Sequence, residues 1–128
     1  MGYYFTKELN ISFDDAIAKV TEELKKEGFG ILADIDVKAT LKKKLDVDFR
    51  PYRILGACNP PFAFQALQTE DKIGTMLPCN VVVQEKTPGK VEVTSIDPVA
   101  SMAAVNNPNL RTVGEQVREK LKRVIDNM

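Results

Sequence analysis

The stretch from Tyr52 to Gln68 constrains the fold more than any other part of this chain. It reads YRILGACNPPFAFQALQ. Alternating side chains are typical of a strand, and proline directly after an asparagine is typical of the first turn of a helix. The sequence therefore predicts a strand over Tyr52–Cys58 that leads at once into a helix beginning at Pro60, with Asn59 as its N-cap residue.

A second Cys-Asn pair opens another apolar run, CNVVVQEK, at residues 79–86. Cys58 and Cys79 are the only two cysteines in the chain. Functional side chains often gather at the ends of strands. If the two strands are neighbours in the sheet, Cys58, Asn59, Cys79 and Asn80 are predicted to form one ligand-binding pocket.

Alternation and helical spacing predict the remaining elements. They are a strand over Tyr3–Leu9, a helix over residues 13–27, a strand over Phe29–Val37, a short helix over Lys38–Leu45, two hairpin strands over Cys79–Lys86 and Val91–Ile96, a short helix over Val99–Val105 and a last helix over residues 110–126. Ser12 is predicted to cap the first long helix and Gly28 to end it. The apolar residues at odd positions of Phe29–Val37 predict one buried face.

The order of these elements predicts the fold class. Strands cluster late in the chain and include a hairpin, which favours an α+β fold over a doubly wound one. We expect one domain over residues 1–128, with a mostly antiparallel, five-stranded sheet that is covered on one face by the two long helices.

Composition excludes several classes of function. The chain has no histidine, which excludes Ser-His-Asp and Cys-His catalysis and any metal site built on imidazole. Lysine plus arginine and aspartate plus glutamate are equal at 18 each, so we expect no nucleic-acid partner. No apolar run approaches the roughly 20 residues that cross a bilayer, and the N-terminus lacks a signal-peptide layout. The predicted location is cytoplasmic, where the cysteines are expected to be thiols.

Several segments together resemble the domain of unknown function 302 family (DUF302). They are YRILGACNPPFAFQAL, then LPCNVVVQE, then the hairpin with Ile96-Asp97-Pro98. The resemblance covers nearly the whole chain and implies a β-α-β4-α fold, similar in outline to one repeat of the TATA-binding protein, in a protein that is commonly a dimer. It implies no established activity and no catalytic residues, and likeness of fold does not carry a DNA-binding function with it.

The two cysteines support more than one interpretation. The helix that follows Cys58 favours a thiolate there, and two thiolates from Cys58 and Cys79 suit Cu(I), whereas a closed zinc site needs about four ligands. Alternatively, both cysteines are structural, since free cysteine often behaves as a small buried hydrophobe. The residues do not identify a cofactor.

Three hypotheses for the function follow. The first is a dimeric domain that binds or senses a small molecule or a metal ion in a pocket near Cys58 and Cys79. The second is a thiol-dependent enzyme or redox protein that uses the same cysteines. The third is a protein-interaction module, which predicts a large exposed apolar patch and no ligand-sized pocket.

Overall fold

The computed structural model describes residues 2–128, so Met1, which the single-domain prediction includes, lies outside the described residues. Within that range the strands are β1 (Tyr4–Leu9), β2 (Gly30–Asp36), β3 (Tyr52–Cys58), β4 (Cys79–Thr87) and β5 (Lys90–Ile96). The helices are α1 (Phe13–Lys26), α2 (Val37–Leu45), α3 (Pro60–Thr69), α4 (Pro98–Ser101) and α5 (Leu110–Asp126), with a short 3-10 helix at Ile73–Met76.

The five strands form one sheet in the order β1-β5-β4-β3-β2, and every neighbouring pair is antiparallel. Strands β2 to β5 follow one another across the sheet, whereas β1 lies beside β5 at the far edge. This arrangement confirms the predicted α+β fold with a five-stranded antiparallel sheet.

Helix α1 begins and ends where the sequence predicts. The Ser12 hydroxyl accepts a hydrogen bond from the Asp15 backbone N–H at 3.0 Å, which satisfies one of the free donors of the first turn. Gly28 follows the last turn with a φ of +86°, a backbone conformation that residues other than glycine rarely adopt. Between these ends, Ala16, Val20 and Leu24 are fully buried against the sheet.

The hydrophobic core lies between α1, α5 and one face of the sheet. The sheet contributes its inward-facing valines, Val81 and Val83 of β4 and Val91 and Val93 of β5, all of which are fully buried. Helix α5 contributes the apolar stripe that its sequence predicts. No helix within residues 2–128 has both the length and the apolar character needed to cross a bilayer.

The single buried face predicted for Phe29–Val37 is wrong beyond Ile31. Ile31 pairs with Ala57 but Ala33 pairs with Gly56, so Leu32 is an extra residue that forms a β-bulge. The bulge reverses the alternation of the side chains, and Ile35 is consequently 49% exposed. Alternation in the sequence could not reveal this, because a bulge is defined only by the pairing with the neighbouring strand.

Two smaller differences concern short helices. Helix α2 starts one residue early, at Val37, because Asp36 caps it by accepting a hydrogen bond from the Ala39 N–H at 2.9 Å. The helix predicted over Val99–Val105 is only the four-residue α4, followed by turns.

Candidate functional site

Cys58 and Cys79 lie at the same end of the sheet. Cys58 is the last residue of β3 and Cys79 is the first residue of β4. Because β3 and β4 are antiparallel neighbours, the end of one meets the start of the other, and Cys79 pairs directly with Ala57. The shared pocket was predicted on the condition that the two strands are neighbours, and the structure meets that condition.

A cavity of about 290 Å³ lies beside these strand ends. Cys58, Asn59 and Cys79 all line it. Its other walls come from the start of β2, from α3 and the chain that follows it, and from α4 and α5: Phe29, Leu32, Ala57, Phe62, Ala63, Ala66, Leu67, Gly74, Leu77, Pro78, Met102, Val113, Gly114 and Val117. Apart from the two thiols, Asn59 is the one lining residue with a polar side chain. Leu32 and Leu67 are the two large lining side chains that are exposed.

Asn59 is the N-cap residue of α3, as predicted, but its side chain makes no capping hydrogen bond to the helix. Its side chain is buried, and its Nδ2 atom donates a hydrogen bond of 3.0 Å to the Glu27 carbonyl at the end of α1. The backbone still starts the helix, since the Ala63 N–H donates to the Asn59 carbonyl at 2.9 Å. Asn59 thus joins the C-terminus of α1 to the start of α3, a long-range contact that local capping rules do not anticipate.

Both cysteines are free thiols, but their surroundings differ. Cys79 is buried, whereas Cys58 is half-buried. Burial, with a smaller contribution from the nearby Cys58, raises the pKa of Cys79 to about 11. At neutral pH the Cys79 side chain is therefore a neutral, weakly polar group in the cavity wall.

Asn80 lies apart from the other three predicted site residues. It pairs with Gly56 across β3 and β4 and alternates with the inward-facing Cys79 and Val81. Its side chain is exposed on the opposite face of the sheet, and it is not one of the residues that line the cavity.

The prediction that Cys58 and Cys79 together bind a metal ion stays a prediction. Within residues 2–128 there is no group of three or more cysteine, aspartate or glutamate side chains that could hold a metal ion. The described residues therefore offer no closed metal site with four protein ligands. Only a site with two thiolates from the protein and further ligands from elsewhere would fit.

Sequence reasoning missed the wall that α5 and Met102 provide. Val113 and Val117 belong to the apolar stripe of α5 and were expected to be core residues only. Gly114 between them carried a signal, because glycine inside a helical pattern costs about 1 kcal/mol relative to alanine. Here it borders the cavity.

Comparisons with known proteins agree with this architecture. The family model described as "Domain of unknown function DUF302" matches residues 5–128. A solved structure, the crystal structure of an uncharacterized conserved protein DUF302 from Bacillus stearothermophilus, is similar with a TM-score of 0.89 and 29% sequence identity. The similarity covers 97% of this chain and 96% of that one. No curated protein matches. Since the family model spans nearly the whole chain, this protein belongs to the DUF302 family.

Proposed function

We propose that this protein binds a small, largely apolar molecule in the cavity beside Cys58 and Cys79, and that it is a binding or sensing domain. The observation that carries the proposal is the cavity itself, which measures about 290 Å³ and has almost entirely apolar walls. An engineered cavity of about 150 Å³ already holds benzene, so there is room here for a molecule about twice that size.

The packing of the rest of the protein supports a ligand in this place. Protein interiors are close-packed, and an apolar cavity forfeits the dispersion contacts that its walls would otherwise make. An apolar molecule would restore those contacts, and the exposed Leu67 of α3 leaves a route for it to enter. Asn59 would supply one oriented amide beside it, as in most small-molecule sites.

The state of Cys79 favours a neutral ligand over thiolate chemistry. A nucleophilic or metal-binding cysteine acts as the thiolate, and burial makes that form costly for Cys79. This observation weighs against a thiol-dependent enzyme that uses Cys79 and against a metal site that needs both thiolates. The interaction-module hypothesis called for no ligand-sized pocket, and the cavity therefore favours the binding hypothesis over it.

We also propose that the protein is a homodimer. Strands β1 and β2 form the two edges of the sheet, and an unpaired edge invites association with another strand. Edge strand β2 carries exposed apolar side chains at Leu32 and Ile35. Pairing two copies through this strand would cover them.

A cavity-filling substitution tests the binding proposal. Ala63 of α3 lines the cavity, so Ala63→Leu would place an isopropyl group inside it. The matched control is Ala18→Leu on the exposed side of α1. Binding of the neutral dye N-phenylnaphthylamine, followed by fluorescence, should weaken about tenfold or more in Ala63→Leu, which corresponds to about 1.4 kcal/mol, and remain unchanged in Ala18→Leu. Equal binding in both variants would refute the proposal.

Native mass spectrometry of the protein purified from its host is the complementary experiment. It reports the number of subunits and the mass of any retained molecule or metal ion together. A retained organic molecule that Ala63→Leu loses supports the proposal. A retained metal ion that Cys58→Ser or Cys79→Ser loses would favour the metal-binding alternative instead.

A further inference from the structure

A second cavity adjoins the first across α5. It measures about 450 Å³ and lies between α4, the turn segment that follows it and the first turns of α5. Met102 and Gly114 line both cavities. The two spaces thus share a stretch of wall made by one flexible side chain and by one residue that has no side chain.

We propose that the two cavities form one elongated site for an amphiphilic monocarboxylate, a molecule with an apolar body and a single carboxylate. The apolar body would occupy the cavity beside Cys58 and Cys79, and the carboxylate would lie in the second cavity near Arg111. This inference rests on the proposed function and narrows the class of ligand.

The junction between the cavities is suited to an opening. Methionine is unbranched and readily changes rotamer, so Met102 can move aside at little cost. At Gly114, an added Cβ would lie 3.8 Å from Val99 Cγ2 and 4.0 Å from Met102 Sδ, which are ordinary contact distances. No clash therefore requires glycine here, although alanine would favour the helix by about 1 kcal/mol. The empty position instead leaves space between the two cavities.

The second cavity differs from the first in its polar lining. Arg111 is the one charged residue among those that line it, and Asn106 adds an exposed amide. Asn107 holds the wall in place, since its Nδ2 atom donates to the Thr69 carbonyl at 3.1 Å and thereby ties this turn segment to α3. The two cavities together therefore present an apolar end and a cationic end.

The charge at the cationic end suits a single negative charge. The Arg111 Nε atom is 3.2 Å from Glu115 Oε1, and both side chains are largely exposed. An exposed pair of this kind contributes little and rearranges easily, which leaves the guanidinium available to a carboxylate. Glu115 would repel a doubly charged phosphate more strongly than a monoanion.

The test compares octanoate with 1-octanol, which share an alkyl chain and differ in the charged group, by isothermal titration calorimetry at low salt. Wild-type protein should bind octanoate more tightly than octanol. Arg111→Gln should weaken octanoate binding about two- to fivefold, which lies within the range for a solvent-accessible ion pair, and leave octanol binding unchanged. Lys122→Gln removes one positive charge from the same helix outside both cavities and should leave both affinities unchanged.

A second variant tests whether one molecule spans the junction. Gly114→Ala keeps Arg111 but places a methyl group between the cavities. It should therefore reduce the ratio of octanoate affinity to octanol affinity. Unfolding temperatures of the variants would show that the fold is retained.

The outcomes separate this inference from the function on which it rests. Three outcomes would each overturn the elongated site while leaving an apolar cavity that binds ligands. The first is equal affinity for octanoate and octanol, and the second is an Arg111→Gln variant whose affinities match those of Lys122→Gln. The third is a ratio of octanoate affinity to octanol affinity that Gly114→Ala leaves unchanged. Binding of neither molecule would overturn the proposed function as well.

Discussion

At Gly56, the outer face of β3 meets the ring of Pro78. A Cβ atom at position 56 would lie 2.8 Å from Pro78 Cγ and 3.3 Å from Ala33 Cβ, and the first distance is shorter than real contacts allow. Pro78 immediately precedes Cys79 and also lines the cavity. The absence of a side chain at Gly56 therefore lets the chain that leads into β4 pack closely on β3 beside the candidate site.

We expect Gly56→Ala to destabilise the protein by about 1–3 kcal/mol, the usual cost of overpacking. Gly30→Ala is the matched control, because it lies in the neighbouring strand and an added Cβ there meets no atom within 4 Å. Urea unfolding followed by circular dichroism measures both. Equal stability of the two variants would show that Pro78 moves away freely.

Cys79 is the residue at which burial decides the chemistry. Because burial raises its pKa to about 11, the thiol should react with iodoacetamide far more slowly than the half-buried Cys58 at pH 7 to 8. Peptide mass spectrometry of partly alkylated native protein would report the two rates separately. Denatured protein provides the control, since both cysteines should then react alike. Fast labelling of Cys79 in the native protein would contradict this prediction.

Among the elements, α1 is joined to both α3 and α5 at its C-terminal end. Asn59 makes the contact to α3, and Glu27 makes the contact to α5. The Glu27 carboxylate accepts hydrogen bonds from Arg123 Nε and Nη2, the shortest at 2.9 Å, and lies 3.9 Å from Lys120 Nζ. These contacts fix one end of the helical layer directly beside the candidate site.

The Arg123–Glu27 hydrogen bonds give a pH-dependent contribution to stability. They hold the pKa of Glu27 below its ordinary value. A carboxyl group whose pKa is lowered in the folded state stabilises the fold above its unfolded-state pKa of about 4.3 and loses that contribution as the pH falls through the lowered value.

We therefore expect Glu27→Gln to lower the free energy of unfolding by about 0.5–1 kcal/mol at pH 7, a modest value because Arg123 is half exposed. The difference from wild type should begin to shrink as the pH falls below about 4.3 and should disappear below the lowered pKa of Glu27. Urea unfolding between pH 3 and pH 7 measures it. Glu115→Gln, which removes a pair that is exposed on both sides, should change little at any pH. A Glu27→Gln effect that persists undiminished at pH 3 would contradict the assignment to this ion pair.

For the whole molecule, the two long helices leave one face of the sheet uncovered, and its edge strands are β1 and β2. The long helices pack on one face only, so Tyr4, Glu8 and Asn80 are exposed on the other. The bulge at Leu32 and the outward side chain of Ile35 make edge strand β2 apolar as well as unpaired. This combination underlies the proposed homodimer.

Sedimentation equilibrium should give twice the monomer mass at micromolar protein concentrations. If β2 provides the contact, Ile35→Lys should weaken the association, because it would bury an unpaired charge. Tyr4→Lys on β1 is the control, since Tyr4 is likewise a large, exposed side chain but lies on the opposite edge strand of the sheet. A wild-type monomer at these concentrations would refute the dimer.

By itself, the sequence determined the elements, their approximate limits and the fold class. Ser12, Gly28 and Pro60 act within a few residues of themselves, and the alternation of a strand or the stripe of a helix is a local pattern. The pairing of β3 with β4 brings Cys58 and Cys79 to one end of the sheet. The sequence predicts both strands but does not show that they are neighbours.

Only the tertiary structure decided which side chains form the candidate site. Asn59 bonds Glu27 rather than its own helix, and Leu32 is extruded as a bulge. Gly114, from the far end of the chain, comes to line the same cavity as the two cysteines. Each of these outcomes depends on contacts between segments that are distant in sequence, where the gain from packing and from a satisfied buried hydrogen bond outweighs local preference. Periodicity and capping carry no information about such contacts.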